Sequence, residues 1–314
     1  MRDFNQNLRQ RTDLADEAAE YFKERSGSQS PGLRAEKQQK HGYETHILTV
    51  LDERGAEASG KPEGTYITVD VGKIWLSEKQ RFKDACEALA ECIRGFIPDE
   101  TSCLLAALGN KNIIADATGP FTAENFIVTR HIKESNPEMF EELGLRETVC
   151  ISPGVLGNTG VEAAQIIRGA VECTEPGFVI AVDSLASRRL SRLATTVQIC
   201  DTGISPGSGI NNARKELSVN TLGIPVIAIG VPTVVEVTTL AADILQDTAR
   251  NSGMDEDGIG DMLDRLAARG SDGFFVTPKE TDHIIKDTAK LIGYGINLAL
   301  HDGLTFDDID EFLS

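Results

Sequence analysis

The segment FVIAVD, Phe178 to Asp183, decides the fold of this chain. It follows the turn pair Pro176-Gly177, and its first five residues are apolar, which predicts a strand buried on both faces. Asp183 ends the predicted strand. Because ligands of open α/β sheets bind beyond the carboxyl ends of the strands, Asp183 is a candidate functional residue. The alternative is that it only caps a helix over Ser184 to Arg192.

Apolar strands and amphipathic helices alternate on both sides of this segment. This rhythm predicts an α/β fold with a mostly parallel central sheet and helices on both faces. The predicted strands are His46 to Leu51, Thr65 to Val71, Cys103 to Leu108, Thr148 to Ile151, Phe178 to Asp183, Thr195 to Cys200 and Pro225 to Ile229. The predicted helices are Leu14 to Phe22, Ser77 to Phe96, Ala123 to Ile132, Val161 to Cys173, Val234 to Ala249 and one from Thr277 toward Leu300.

Charge and composition exclude several classes of partner. The 314 residues carry a formal net charge of −18 at pH 7, which repels nucleic acid and anionic membranes, so neither is expected as a partner. No apolar run reaches the roughly 20 residues of a membrane span, and the N-terminus lacks a secretory signal, so a cytoplasmic location is expected. The six cysteines contain no CxxC pair, which predicts buried, reduced thiols and no zinc site.

Two segments of the chain are strongly polar. Residues 1 to about 40 contain few large apolar side chains, and the segment Ser26 to Gly32 has the composition of a flexible link. Residues Asn251 to Gly273 carry an acidic run among glycines, which predicts a solvated excursion and not a calcium loop.

Four predicted loops are rich in glycine and small polar residues. They are LGNKNIIADATGP (108–120), SPGVLGNTG (152–160), DTGISPGSG (201–209) and GVPT (230–233). Since glycine lets a backbone approach a ligand closely, the four together predict a peptide or small-ligand crevice, although turn chemistry explains any one of them. No phosphate-binding loop occurs, so no cofactor is expected.

Asp116, in IIADATGP, lies in a setting similar to that of Asp183. Two carboxylates in one crevice repel each other, so one keeps its proton while the other acts as base toward water; this is enough to hydrolyse an amide. Arg188 and Arg189 would bias the pair toward ionisation. The alternative is that both aspartates are caps. Asp201, in a single DTG motif, is interpreted as a turn residue or as a group that supports the functional residues without contacting the substrate.

Long, ordered segments of the chain resemble the germination proteases of spore-forming Gram-positive bacteria, which degrade small acid-soluble spore proteins. The segments are spread from the N-terminus to near the C-terminus, so the resemblance is specific. They are RTDLA (11–15), LGN (108–110), DATGP (116–120), TRH (129–131), PGVLGNTGVE (153–162), IAVDSLASRR (180–189), QICDTGISPGSGINNARKE (198–216), TLGIPVIAIGVPTVV (221–235) and VTPKETD (276–282).

The resemblance implies an atypical aspartic endopeptidase of the spore core, without a cofactor, that assembles as a homotetramer and has a fold similar to hydrogenase-maturation endopeptidases. It places the catalytic aspartates at Asp116 and Asp183. It also implies a zymogen in which residues 1–13 are a propeptide and residues 14–314 form a single peptidase domain. The processing bond would be Asp13-Leu14, an acidic-then-apolar junction like those cut in the substrates.

Two departures from the family pattern bear on these expectations. The segment 250–275 is shorter than is usual in the family, and Ala213 stands where a basic residue is more usual. Either change would affect substrate contact, assembly or zymogen control. Two other functions stay open at this point: a metal-dependent maturation-type peptidase on the same fold, and a non-catalytic α/β ligand-binding module in which the aspartates are caps.

Overall fold

The fold is built on a nine-stranded sheet. The structure is a computed structural model, and it describes residues 12–27, 30–99, 102–205, 215–252, 258 and 274–313. The strands are β1 Leu33–Lys40, β2 Tyr43–Val50, β3 Gly64–Asp70, β4 Cys103–Ala107, β5 Thr148–Ile151, β6 Phe178–Ser187, β7 Thr196–Cys200, β8 Val226–Glu236 and β9 Phe275–Val276. Their order in the sheet is β1-β2-β3-β7-β8-β6-β4-β5, and β9 pairs with β8.

Helices flank this sheet. The longer ones are α1 Ala15–Ser26, α3 Lys79–Arg94, α8 Ala163–Thr174, α10 Val237–Asn251, α11 Thr281–Leu300 and α12 Phe306–Leu313. The shorter ones are α2 Glu53–Ser59, α4 Thr118–Ala123, α5 Arg130–Ser135, α6 Pro137–Glu142, α7 Leu156–Thr159 and α9 Val219–Leu222. Single 3₁₀ turns lie at Ile74–Leu76, Ile114–Asp116 and Leu190–Arg192.

The α/β class is confirmed, but the sheet is mixed and not mostly parallel. Strands β5, β4, β6 and β8 pair in parallel. Strands β1, β2 and β3 form an antiparallel meander, which joins the parallel half through antiparallel pairing of β7 with β3 and β8. The parallel half therefore holds the strands that the sequence predicted as near-continuous apolar runs.

Strand β6 is buried on both faces, as its apolar sequence predicts. Phe178, Ile180 and Val182 belong to a core cluster with residues of α3 and α11. Val179 and Ala181 belong to a second cluster with residues of α8 on the other face. Each large side chain fully buried in this way contributes roughly 1.5–3 kcal/mol to stability. These two clusters fix the position of β6 in the middle of the molecule.

Strands β6 and β8 are both longer than the sequence predicted. Strand β6 continues through Asp183 to Ser187, and Asp183 pairs with Gly230 of β8. The alternative that Asp183 caps a helix is therefore wrong, since extended backbone follows it. The GVPT segment lies inside β8 and is not a loop.

Side-chain contacts break the helix predicted over Ala123 to Ile132. Helix α4 ends at Ala123, and α5 begins only at Arg130. Between them, the N–H of Ile127 donates to Oδ1 of the buried Asn297 at 3.0 Å. This backbone amide bonds to a distant side chain instead of to a helical turn.

The N-terminal region is more ordered than its polar composition predicted. Helix α1 confirms the short helix expected near Leu14, and Leu14 itself is fully buried. The polar sequence LRAEKQQK forms β1, an edge strand whose side chains are mostly exposed, and charged side chains are a common way to protect such edges. Residues 1–11, Ala213 and most of the acidic run after Ser252 lie outside the described residues.

All six cysteines lie within the described residues and are free; Cys173 is exposed, Cys150 is half-buried, and the others are buried. Burial raises the pKa of Cys92 to about 11. None of the helices in the described part of the chain combines the length and apolar character that crossing a bilayer requires.

His301 gives the fold a measurable dependence on pH. Burial, together with the nearby positive charge of Arg146, lowers the pKa of His301 to about 4 from the usual 6.5. Between these values the unfolded chain binds more protons than the folded one, so the free energy of unfolding falls as the pH falls. At about 1.4 kcal/mol per pH unit, His301 accounts for a loss of about 3 kcal/mol.

We therefore expect the substitution His301→Gln to remove this part of the pH dependence. Urea unfolding of the wild type and the variant should be measured between pH 4 and 6.5. The difference between their unfolding free energies should change by about 3 kcal/mol across that range. Two parallel curves would contradict this account of His301.

Candidate active site

The end of β4 joins the predicted functional loops to β6. After Ala107, the N–H of Leu108 donates to the carbonyl of Val182 at 2.8 Å. The chain then leaves the sheet in the loop 109–117 and returns to β6 at Thr118. Strand β6 continues beyond this point without β4 beside it. The site therefore lies at the carboxyl edge of parallel strands, where the fold class predicts it.

Asp116 is held by the start of its own loop. The N–H of Asn110 donates to the carbonyl oxygen of Asp116 at 2.9 Å and to its Oδ2 at 3.0 Å. Gly109 makes this closure possible, because it adopts φ +111° and a Cβ there would lie 2.0 Å from the Asp116 carbonyl oxygen. This position requires glycine. The LGN segment thus fixes the backbone of Asp116.

Asp183 lies on β6 and is 5% exposed. Its Oδ1 accepts a hydrogen bond from the N–H of Ser184 at 2.9 Å. The Ser184 hydroxyl in turn donates to the Thr118 hydroxyl oxygen at 2.8 Å. Because Thr118 follows Asp116 by two residues, the structure brings the Asp116 loop and the β6 segment that carries Asp183 to the same edge of the sheet.

An open cleft of about 390 Å³ lies beside the first residues of the loop 109–117, and neither Asp116 nor Asp183 is among its lining residues. Two of the four glycine-rich segments line it, the one after β4 and the one after β5, so these two do form a crevice together. Its lining residues are Gly109, Asn110, Lys111, Asn112, Pro120, Ala123, Glu124, Ser152, Gly154 and Asn158. The third segment, at Asp201, lies partly outside the described residues, and the fourth is within β8.

Asp201 is an exposed residue at the end of β7, and its Oδ1 accepts a hydrogen bond from the N–H of Thr65 at 2.8 Å. It closes the β3-β7 pair, which agrees with its interpretation as a turn residue.

For metal binding, the described ranges contain no group of three or more His, Cys, Asp or Glu side chains placed to hold an ion.

The bond Asp13-Leu14 is attached to the same strand as Asp183. The N–H of Asp13 donates to the carbonyl of Ala186, and the N–H of Ala186 donates to Oδ2 of Asp13, both at 2.8 Å. Gln198 clamps the bond from the other side: its Nε2 donates to the Asp13 carbonyl at 3.1 Å, and its Oε1 accepts from the N–H of Ala15 at 2.7 Å.

Arginines that follow Asp183 hold helix α1. Arg189 pairs with Glu24 at 2.8 Å, and Arg188 pairs with Asp243 at 2.5 Å and with Glu24 at 3.4 Å. Arg192 pairs with Asp16 at 3.0 Å. The sequence suggested that Arg188 and Arg189 act on the aspartate pair, whereas these salt bridges connect both arginines to carboxylates of the helices.

Sequence analysis missed Gln198 and Glu17, which both contact the segment around Asp13-Leu14. Glu17 is 1% exposed and accepts hydrogen bonds from the N–H groups of Arg188 and Arg189. The available signal was the complementary charge of the acidic stretch DLADEAAE and the basic stretch SRRLSR. Their separation along the chain concealed it.

Comparisons with known proteins show the family of this chain. A family model described as germination protease, Peptidase_A25, matches residues 10–257. Germination proteases of Caldanaerobacter subterraneus subsp. tengcongensis, Clostridium perfringens strain ATCC 13124 and Bacillus subtilis strain 168 are 40%, 37% and 37% identical to the chain. These alignments cover 96%, 97% and 96% of this chain and 98%, 99% and 95% of the relatives.

Together, the family model and these relatives define an endopeptidase. The chain belongs to the germination protease family. This finding replaces the alternative of a non-catalytic binding module. Among solved structures, the NiFe hydrogenase maturation protease HycI from Thermococcus kodakarensis KOD1 aligns with a TM-score of 0.37 at 16% identity, over 67% of this chain and 98% of that chain.

Gly119 lies where the chain after Asp116 packs closely against β6, so a substitution there tests this packing. A Cβ at this position would lie 2.2 Å from the Leu108 carbonyl oxygen and 2.7 Å from the Val182 carbonyl oxygen, both backbone atoms. We expect Gly119→Ala to lower the free energy of unfolding by about 1–3 kcal/mol and to reduce peptidase activity, because the backbone beside Asp116 and Asp183 must shift.

The matched control for that substitution is Gly169→Ala in the middle of α8, where a Cβ meets nothing within 4 Å. Glycine in a helix interior is less stable than alanine by roughly 0.5–1 kcal/mol, so this variant should be slightly more stable than the wild type. Urea unfolding and a peptide-cleavage assay measure both variants. Equal stability of the two would show that the joint at Gly119 tolerates a side chain.

Proposed function

We propose that this germination protease is a self-processing endopeptidase that begins the degradation of small acid-soluble spore proteins in the spore core. Asp116 and Asp183 share the acid and base roles on one water molecule. The observation that carries the proposal is the Ser184-Thr118 hydrogen bond, 2.8 Å long, which joins the two aspartate-bearing segments at one edge of the sheet. The cleft lined by Asn110, whose N–H binds Asp116, offers a polar surface for an extended peptide.

The reaction needs one protonated and one ionised carboxyl group. The ionised group takes a proton from water as the water oxygen attacks the peptide carbonyl carbon. The protonated group donates its proton toward the amide nitrogen as the C–N bond breaks. Two neighbouring carboxyl groups hold these different states because their charges repel, so they do not both ionise readily.

We expect Asp116→Asn and Asp183→Asn each to reduce cleavage of a small acid-soluble spore protein by at least about a hundredfold, because an amide neither accepts nor donates the transferred proton. The control is Asp201→Asn, in which an amide oxygen still accepts the Thr65 N–H. Its activity should stay near that of the wild type. Full activity of either Asp116→Asn or Asp183→Asn would remove that residue from the mechanism, and loss of activity in strong chelators would favour the metal-dependent alternative.

The same aspartates remove residues 1–13 as a propeptide and leave residues 14–314 as the peptidase domain. Ala186, which holds Asp13, lies three residues beyond Asp183 on β6. At about 3.3 Å per residue, this distance is about 10 Å along the strand. The bond must therefore move toward the aspartates of its own subunit, or be cut by those of another subunit. The mature enzyme assembles as a homotetramer.

Incubating the purified chain at mildly acidic pH should release residues 1–13, which mass spectrometry detects as a new N-terminus at Leu14. Asp183→Asn incubated in the same way should keep its full mass. Light scattering on both samples gives the number of subunits. A cut at another bond, or an unchanged mass of the wild type, would refute Asp13-Leu14 as the processing bond.

A further inference from the structure

Glu17 is a buried carboxylate in the first turn of α1, and three donors surround it. The Thr12 hydroxyl donates to its Oε2 at 2.5 Å, the N–H of Arg188 donates to the same oxygen at 2.7 Å, and the N–H of Arg189 donates to Oε1 at 3.0 Å. Burial raises the pKa of Glu17, while these hydrogen bonds act in the opposite direction. The ionised form of Glu17 therefore depends on its donors.

Thr12 connects this carboxylate to the proposed processing bond. The N–H of Leu14 donates to the Thr12 hydroxyl oxygen at 3.2 Å, and the same hydroxyl donates to Glu17. Thr12 is 5% exposed and Leu14 is fully buried. One hydroxyl group thus separates the nitrogen of the Asp13-Leu14 bond from a carboxylate that is closed off from solvent.

Cleavage of that bond changes both ends of this chain of hydrogen bonds. Water adds its hydroxyl to the carbonyl carbon of Asp13, and the nitrogen of Leu14 gains protons and becomes an ammonium group. Thr12 leaves with the released segment, so Glu17 loses one of its donors. A positive charge appears next to the place that the Thr12 hydroxyl held.

We infer that in the cleaved enzyme Glu17 binds the ammonium group of Leu14, which takes the place of the Thr12 hydroxyl. This inference rests on the proposed processing bond. Asp16, the neighbouring carboxylate, is already paired with Arg192 at 3.0 Å. Glu17 is thus the carboxylate that cleavage deprives of a donor, and it lies where the new ammonium group forms.

Charge at the helix end favours the same pairing. An ammonium group at the N-terminus of a helix is unfavourable, because the helix dipole is positive there. A carboxylate in the first turn offsets that repulsion. The other charged groups around this point are Asp16, Glu20 and Glu24 of α1, the arginines Arg188, Arg189 and Arg192, Asp243 of α10, and Lys61, whose Nζ donates to the Thr12 carbonyl at 3.3 Å.

The pair formed by Glu17 and the Leu14 ammonium group is connected to the active site through backbone hydrogen bonds. Glu17 binds the N–H groups of Arg188 and Arg189, which directly follow the strand that carries Asp183. The new ammonium group keeps Glu17 ionised and so keeps this end of β6 fixed after the propeptide leaves. Glu17 is therefore a positioning residue of the mature enzyme.

The test uses a chain cut without self-processing. Residues 10–13 of the full-length protein are replaced by the recognition sequence of a site-specific protease that cuts directly before Leu14, and the folded chain is then cut. NMR with ¹⁵N-labelled leucine gives the pKa of the Leu14 amine. We expect this pKa to be at least about one unit higher in the wild type than in Glu17→Gln, a tenfold difference in proton affinity.

Glu20→Gln is the control, since Glu20 lies one turn further along the same helix and is partly exposed. It should keep the amine pKa of the wild type. As the pH rises through that pKa, kcat should fall in the wild type and in Glu20→Gln, and Glu17→Gln should lack this fall. An amine pKa that does not differ between wild type and Glu17→Gln would overturn the inference.

A second cut chain covers the case in which Glu17→Gln does not fold. It keeps Glu17 but leaves one extra glycine before Leu14, so the ammonium group moves one residue away from the carboxylate. We expect its amine pKa to fall to the value of an exposed terminus; a raised value would also count against the pairing. Because the outside protease makes the cut, failure of self-processing leaves both pKa measurements intact, and the two proposals can fail separately.

Discussion

Strand β6 extends past its neighbour β4, and this difference in length governs the site. Within the described ranges, no strand pairs with that side of β6 beyond Val182, and buried backbone N–H and C=O groups need partners. Asp13 bonds both groups of Ala186, and Glu17 accepts from Arg188 and Arg189. The N-terminal segment therefore binds the free edge of the strand that carries Asp183. Cleavage of this segment would change the hydrogen bonds along that strand.

The sequence predicted the buried half of the fold well, because long apolar runs have few alternatives. Strand β5 agrees with its predicted bounds, and β4, β6 and β7 begin within a residue of theirs. The predictions were wrong for segments in which distant contacts override the local structural preference. Pro232 lies inside β8 beside the irregular pairing at Leu185 and Ala186, although Gly-Val-Pro-Thr favours a turn. The polar strand β1 carries no apolar pattern, because it lies at an edge and the side chains on both of its faces are mostly exposed.

The site was predictable in part for the same reason. Asp116 and Asp183 follow apolar runs, and strand ends in an α/β fold point to functional residues. Gln198 and Glu17 gave no such signal. Gln198 contacts Ala15 across 183 positions, and Glu17 contacts Arg188 across 171. Their roles depend on how the N-terminal helix packs against β6 and β7, which no local pattern encodes.

The residues before and after the Asp13-Leu14 bond are held in place by interactions of different strength. Thr12 and Asp13 are held by hydrogen bonds, each of which contributes about 0.5–1.5 kcal/mol net. Helix α1 is held by fully buried Leu14 and Ala15 and by pairs such as Arg192 with Asp16 and Arg188 with Glu24. Removing one partner of a mostly buried pair such as Arg192 with Asp16 costs more than the loss of one hydrogen bond, up to roughly 3–5 kcal/mol. A cut between Asp13 and Leu14 removes no member of these pairs, so the segment before the cut can separate while the helix stays on the strand that carries Asp183.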